Sequence, residues 1–362
     1  MPKSPIDLNA GDPDAEAPRC VIDAISEAIR MGGDWTHYGG ADIPQKFREA
    51  IAEYYKSFGP DYKPENIIPT AGSSAALYIA LTTVLEKGEE ILLWEPSYSG
   101  HYGLLRSMGM RMTVAPLKEE TGFHPDLETL EEFLTGRTKA VLICNPNNPT
   151  GTVFTERELR VIGEMAKDHD LTILSDEIYL HFVYDDNRFT STASLDGFEE
   201  RTINIMSFSK TFSMTGYRLG YVIAPERYLE RARAIAGMTA ARPATFVYAG
   251  GIAALKSGMP YVGERRREYD ARRRYFCNAV DKIDGLSCSP FEGAFYAWFC
   301  IRSLGVGSVD FCDGLLKEEN VSVRPGKNFG IHIDDYVRVP LVQPLPVLKE
   351  AVERINDFVK SL

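Results

Sequence analysis

Cysteine is sparse in this chain and scattered where it occurs. Cys20, Cys144, Cys277, Cys288, Cys300 and Cys312 form no CxxC pair. That argues against a disulfide scaffold or a zinc site and reads as reduced core thiols. Long apolar runs are missing too: none approaches the roughly 20 residues of a membrane span. Met1-Pro2-Lys3-Ser4-Pro5 lacks the apolar stretch of a signal peptide, so a cytoplasmic location is expected. Basic charge is not in excess. The net charge is −11 with acids and bases interspersed, which makes nucleic acid or an anionic membrane an unexpected partner. There is no internal repeat, linker or low-complexity segment. What remains is an ordinary globular balance, 44% hydrophobic and 25% charged over 362 residues. Such a length supports a large core and two domains.

One stretch organises the rest. Thr202-Ile203-Asn204-Ile205-Met206 reads as a buried strand, and Ser207-Phe208-Ser209-Lys210-Thr211 follows it, with Arg218 shortly after. Open α/β sheets bind ligands beyond the carboxyl ends of their strands. Burial of a lysine there lowers its pKa and frees an amine able to form a Schiff base with a carbonyl. Ser207 and Ser209 offer hydroxyls and Arg218 a fixed cation, a set suited to phosphate. Lysine plus phosphate-binding groups points to pyridoxal phosphate. Alone, Ser-x-Ser-Lys is as well read as a solvated loop; the upstream motifs decide.

Those motifs sit at further strand ends. Gly72-Ser73-Ser74 opens a helix, where free backbone N–H groups and the helix dipole favour an anion and a glycine permits close approach. Glu90-Ile91-Leu92-Leu93-Trp94 leads to Tyr98. Ala140 to Cys144 delivers Asn145-Pro146-Asn147-Asn148-Pro149-Thr150-Gly151, a stiff turn presenting the Asn148 amide. Leu171 to Ser175 ends at Asp176, placed to hold a pyridinium proton, and Tyr179 follows. Arg338 lies in the apolar strand Tyr336-Val337-Arg338-Val339-Pro340. An unpaired charge there would be costly, so it needs an anionic partner, internal or bound.

In this order the residues resemble the class I/II aminotransferases of fold type I, from Leu8-Asn9-Ala10-Gly11-Asp12-Pro13 to Arg338. The resemblance implies a three-layer α/β/α large domain with a mostly parallel sheet, residues 31–264. A smaller α+β domain would combine 1–30 with 265–362. It implies that Lys210 carries the cofactor, that Tyr98 stacks on its ring and that Asn148 and Tyr179 meet the ring oxygen. Gly11 would lie near the substrate carboxylate and Arg338 would bind it. Tyr38 would reach a neighbour's cofactor phosphate in a homodimer. Relatives carry a further arm before the Gly11 motif, roughly 20–30 residues by ordinary helix and linker lengths, which this chain does not show. The expected reaction is ping-pong amino transfer between an L-amino acid and a 2-oxo acid. A lyase using the same residues, such as a C–S β-lyase, is the alternative. Arg242 reads as a surface ion pair. The arginine runs 265–267 and 272–274 read as a solvated helix face, since Glu264, Glu268 and Asp270 interleave them.

Overall fold

The computed structural model describes residues 3–38, 42–239 and 242–362. In chain order its elements begin with β1 (Ile6–Asp7), α1 (Arg19–Met31), α2 (Asp42–Tyr55), β2 (Ile67–Thr70) and α3 (Ser73–Val84). Then come β3 (Glu90–Glu95), α4 (Ser99–Ser107), β4 (Arg111–Pro116), β5 (Thr138–Cys144), α5 (Glu156–Asp168) and β6 (Thr172–Asp176). β7 (Thr202–Ser207), α6 (Phe208–Thr211), β8 (Gly220–Ile223), α7 (Glu226–Met238), α8 (Val247–Ser257) and α9 (Met259–Val280) follow. The chain closes with β9 (Tyr296–Cys300), α10 (Ser308–Glu319), β10 (Val321–Ser322), β11 (Arg324–Pro325), β12 (Tyr336–Pro340) and α11 (Leu345–Ser361).

Seven strands form one sheet in the order β2-β8-β7-β6-β5-β3-β4. β8 runs antiparallel to both neighbours and the remaining pairs are parallel. Parallel strands are covered on both faces and so read as continuous apolar runs. Ala140-Val141-Leu142-Ile143 shows how: Ala140 and Leu142 pack beneath α3, α4 and α7, while Val141 and Ile143 pack against α5 on the other face. Phe47 and Ile51 of α2 and Val247 and Tyr248 of α8 extend that second layer over Ile67, Met206 and Tyr221. The expected three-layer α/β/α architecture with a mostly parallel sheet is therefore present. A three-stranded antiparallel sheet, β11-β12-β9, carries Arg338, and β1 pairs in parallel with β10.

The topology fixes where ligands belong. β4 lies on one side of β3 and β5 on the other, so the connections diverge beyond the carboxyl ends of β3 and β5. Tyr98, Asn148, Asp176 and Ser207 all sit at or just past the ends of β3, β5, β6 and β7.

The arginine-rich helix departs from expectation. On α9, Arg272 and Arg273 are only 2% and 1% exposed. Arg272 forks onto both oxygens of Asp14, at 3.0 and 2.8 Å, and meets Glu268. Arg273 donates to Asp185 and Asp270, both at 2.7 Å, and to the Phe291 carbonyl. The face is solvated only in part, because Asp14 and Asp185 arrive from distant segments that the local sequence did not reveal.

The expected capping box forms at α5: Thr155 Oγ1 accepts from Glu158 N at 3.3 Å, and Glu158 Oε2 accepts from Thr155 N at 2.6 Å. Glu158 also accepts from His124 Nδ1 at 2.9 Å, while His124 Nε2 reaches Glu292 at 3.3 Å. The hydrogen bonds from Glu158 and then Glu292 push His124 up to about 10. A pKa raised on folding gives stability that is complete below the unfolded value, near 6.5, and is lost as pH rises through 10. His124→Gln should therefore destabilise the protein at pH 6, by roughly 1.5–3 kcal/mol as for a charged hydrogen bond. The difference in melting temperature between variant and wild type should shrink steadily towards pH 10. A constant difference would show that the imidazolium contributes nothing.

Candidate functional site

A cavity of about 410 Å³ opens beyond the strand ends, lined among others by Gly11, Ser73, Ser74, Tyr98, Asn148, Asp176, Tyr179, Ser209, Lys210, Arg218 and Arg338. Eleven residues picked from sequence thus converge, although they are spread from the first dozen residues to β12.

Lys210 rides on the single turn of α6. Ser207 caps that turn: its Oγ accepts from Ser209 N at 3.1 Å. The same hydroxyl lies 2.9 Å from Ser209 Oγ and 3.3 Å from the Leu219 carbonyl, one of which takes its single hydrogen, and Ser207 is not among the described cavity-lining residues. It shapes the turn, while Ser209 beside it lines the cavity. Lys210 Nζ donates to the Gly11 carbonyl at 2.6 Å. Burial, with help from Arg338 and Arg218 and against Asp12, brings its ammonium down to about 8.

At one end of the cavity α3 begins at Ser73, where its first N–H groups have no intrahelical acceptor. Gly72 precedes them at φ 88°, and a Cβ there would lie 2.3 Å from Arg218 Nη2. Only glycine leaves room for that guanidinium. Arg218 itself is held in the left-handed region, φ 54°. Its guanidinium meets the carbonyls of Thr215 at 2.9 Å and Ala71 at 3.3 Å, and no carboxylate among the described residues, so its charge is not cancelled there.

Asp176 occupies the middle. Its Oδ2 accepts from His101 Nε2 at 3.1 Å, and His101 Nδ1 pairs with Ser97 Oγ at 3.1 Å. His101 is fully buried. The sequence reading missed it, although its place one turn into the helix after Tyr98 was a usable signal. Tyr296 was missed as well. Its hydroxyl pairs with that of Tyr179 at 2.8 Å, and it fills the space where a side chain on Gly11 would sit, 2.1 Å from an added Cβ. Gly11 is therefore demanded by Tyr296, a different reason from the expected close approach of substrate.

Arg338 is buried between the rings of Tyr296, at 4.4 Å, and Phe329, at 4.8 Å. It donates to Asn148 Oδ1 at 3.2 Å and the Asn9 carbonyl at 2.7 Å, and its Nε is buried without a partner. An internal acid pair, the other reading open from sequence, is not what holds it. Glu95, beneath, accepts from the backbone N–H groups of Ile331 and His332 and fixes the loop behind Phe329.

Two expectations fall elsewhere. Tyr38 is fully exposed, at 101%, and lies at a separate surface hollow with Arg48, Arg233 and Arg242. Thr245 Oγ1 ties the two loops by donating to the His37 carbonyl at 2.9 Å. Arg242 is exposed and forms no ion pair among the described residues, contrary to the surface pair expected of it.

A mostly parallel α/β sheet whose strand ends open on a cavity with a desolvated amine, an anion cradle and one carboxylate among its described lining residues defines a class of enzymes that hold a phosphorylated aldehyde cofactor. The comparisons narrow this. The family model described as Aminotransferase class I and II matches residues 3–355. The aspartate aminotransferase of Pyrococcus abyssi is 36% identical over 363 residues, covering 99% of this chain and 92% of that one. The aromatic-amino-acid aminotransferase 2 of Thermococcus litoralis is 36% identical over 360 residues, covering 98% and 92%. The crystal structure of an aromatic aminotransferase from Pyrococcus horikoshii superposes with a TM-score of 0.94 at 37% identity, covering 99% and 96%. The chain belongs to the class I and II aminotransferase family, whose members are pyridoxal-phosphate-dependent. It is an aminotransferase of amino-acid and 2-oxo-acid substrates. Its residues fit that cofactor: Arg218 faces the α3 N-terminus without an acid, and Asp176 and Lys210 share the same cavity.

A depressed Lys210 can be checked without the cofactor. In apo-protein carrying ¹³C-methylated lysines, one signal should titrate near pH 8 and vanish in Lys210→Met. Arg338→Met removes a repelling cation and should move that signal to higher pH. A Lys210 signal titrating above 10 would contradict the burial seen here.

Proposed function

We propose that the protein is a homodimeric, cytoplasmic aminotransferase that moves an amino group from an L-amino acid to a 2-oxo acid by a ping-pong mechanism, with Lys210 as the residue that carries the cofactor. The observation that supports this most is Lys210 itself, a half-buried lysine with a desolvated amine and no carboxylate partner among the described residues, in one cavity with Asp176 and Arg338. Residues 31–264 are taken as the cofactor-binding domain, and 1–30 with 265–362 as the smaller one.

Bound pyridoxal phosphate supplies an electron sink that stabilises negative charge at the substrate Cα. The protein does the rest. The first N–H groups of α3, with Ser73, Ser74, Ser209 and Arg218, would hold the phosphate. Asp176 would keep the ring nitrogen protonated, with His101 fixing the carboxylate. Tyr98 would cover one ring face, and Asn148 and Tyr179 would donate to the ring oxygen. Arg338 would fork onto the substrate carboxylate and aim the Cα–H at Lys210. The Lys210 amine would take that proton as general base and give it back as general acid. Tyr38, exposed in one chain, is proposed to complete the phosphate site of a second copy. Some relatives are named for aspartate and others for aromatic amino acids, so this reading commits only to amino and oxo acids.

Borohydride reduction of the holoenzyme should leave a pyridoxyl group on Lys210 by peptide mapping; an adduct on another lysine would refute the assignment. Amino transfer should require an added 2-oxo acid. Stoichiometric pyruvate and ammonia release from cystathionine without one would favour the lyase alternative. Asp176→Asn should retain cofactor and lose several orders of magnitude in turnover, because a neutral amide cannot hold the ring proton. Arg338→Lys keeps the charge and loses the planar fork, so kcat/KM should fall roughly 10–150-fold with cofactor affinity unchanged.

A further inference from the structure

A second hollow, of about 360 Å³, lies apart from the cavity at the strand ends. Ala50 and Tyr54 of α2, Phe58 just after it, Leu255 of α8, Met259 of α9 and His181 beyond β6 line it. Among the described residues, the two linings share none. Three of these side chains form an aromatic corner packed edge to face. Ring centroids are 4.8 Å apart for Tyr54 and Phe58, 5.9 Å for Tyr54 and His181, and 6.2 Å for Phe58 and His181. Glu53 and Lys256 bring one charge of each sign to the lining, which leaves it without net charge.

One polar pair interrupts the apolar wall: the Tyr54 hydroxyl and His181 Nε2 are hydrogen-bonded. Burial, and then Arg266, bring His181 down to about 4, so the ring is neutral at ordinary pH. A neutral imidazole offers one N–H and one lone pair. Tyr54 uses one of these, and Nδ1 keeps the other with no partner among the described residues. A polar atom set among apolar walls without a partner costs free energy that a bound hydroxyl recovers. The hollow also backs onto the turn that carries Lys210. A smaller recess shares Tyr54, His181 and Leu255 with it and is closed by Phe208, Thr211 and Phe212. The turn α6 therefore shows two sides. Ser209 and Lys210 line the first cavity, while Phe208 and Thr211 meet the recess. The chain at the end of β6 divides in the same way, with Asp176 and Tyr179 on the first cavity and Leu180 and His181 on the recess.

We infer that this hollow is an effector site for a small uncharged aromatic molecule carrying one hydroxyl, a phenol in chemical class, whose binding is coupled to Lys210 through α6. The aromatic corner suits one further ring packed edge to face. A hydroxyl both donates and accepts, so it satisfies Nδ1 in either tautomer. An occupant resting on His181 bears on the recess that Phe208 and Thr211 close, and those residues flank Ser209 and Lys210 in a turn of only four residues. Coupling of this kind acts in both directions, so the state of the first cavity also sets affinity at the second. The inference takes from the proposed function only that Lys210 carries the cofactor.

The test titrates holoenzyme with 4-fluorophenol, fluorobenzene and 4-fluorobenzoate, followed by ¹⁹F NMR, in wild type, Ala50→Phe and His181→Phe. Ala50→Phe fills the hollow from α2 and should weaken 4-fluorophenol roughly tenfold or more by steric overlap. In wild type 4-fluorophenol should bind roughly 2–13-fold tighter than fluorobenzene, the value of one neutral hydrogen bond. His181→Phe should erase that preference while fluorobenzene stays bound. Saturating 4-fluorophenol should also shift the pH midpoint of the cofactor's visible absorbance in wild type and leave it fixed in Ala50→Phe. Binding unchanged in Ala50→Phe, no preference over fluorobenzene, or tighter binding of 4-fluorobenzoate would overturn the site. An unmoved midpoint would overturn its coupling to Lys210. A cofactor carried on another lysine would show in the borohydride mapping, and the three binding titrations would still decide what the hollow takes.

Discussion

Positive charge buried without a matching carboxylate is the constraint on which the cavity depends. A guanidinium removed from water loses several kcal/mol of hydration, which only close acceptors offset. Arg338 is held by two neutral oxygens and two aromatic faces, a partial replacement that leaves Nε with nothing. Arg218, at the exposed edge of the cavity, is held by two carbonyls. These acceptors fix orientation without cancelling charge. Charge that the described residues leave uncancelled favours an anion at this cavity.

The same chain shows the opposite solution a short distance away. Arg272 and Arg273 are as deeply buried as Arg338, yet each meets carboxylates. Losing one partner of such a pair costs about 3–5 kcal/mol because the other charge is stranded. Their effect is to bind α9 to the Asp14 and Asp185 segments. The distinction between structural and functional arginines therefore lies in the partner and not in depth. Depth alone would have grouped Arg272 with Arg338.

That distinction also marks what could be read from sequence. Strands such as Ala140 to Cys144 were legible because a strand covered on both faces must be apolar throughout. Chemistry at their ends was legible because the topology places it there. Asn148, Asp176 and Lys210 each follow such a run. Side chains whose meaning lies in a distant contact were not legible. Gly11 is glycine because of Tyr296, nearly the whole chain away, and the cap that Ser207 sets on α6 shows only once the turn is folded. His101 escaped for the same reason: it is defined by Asp176, which is far away in sequence.

The pairing of β1 with β10, Ile6 opposite Val321, bears on biosynthesis. The segment that follows β1 supplies Asn9 and Gly11, the acceptors of Arg338 and Lys210. It leaves the ribosome long before β10, yet has no strand to pair with until β10 exists. One wall of the cavity is thus translated early and seated late. A nascent chain can form much of the central sheet while its lysine still lacks that cover, and the reactive pocket closes only when synthesis is nearly complete.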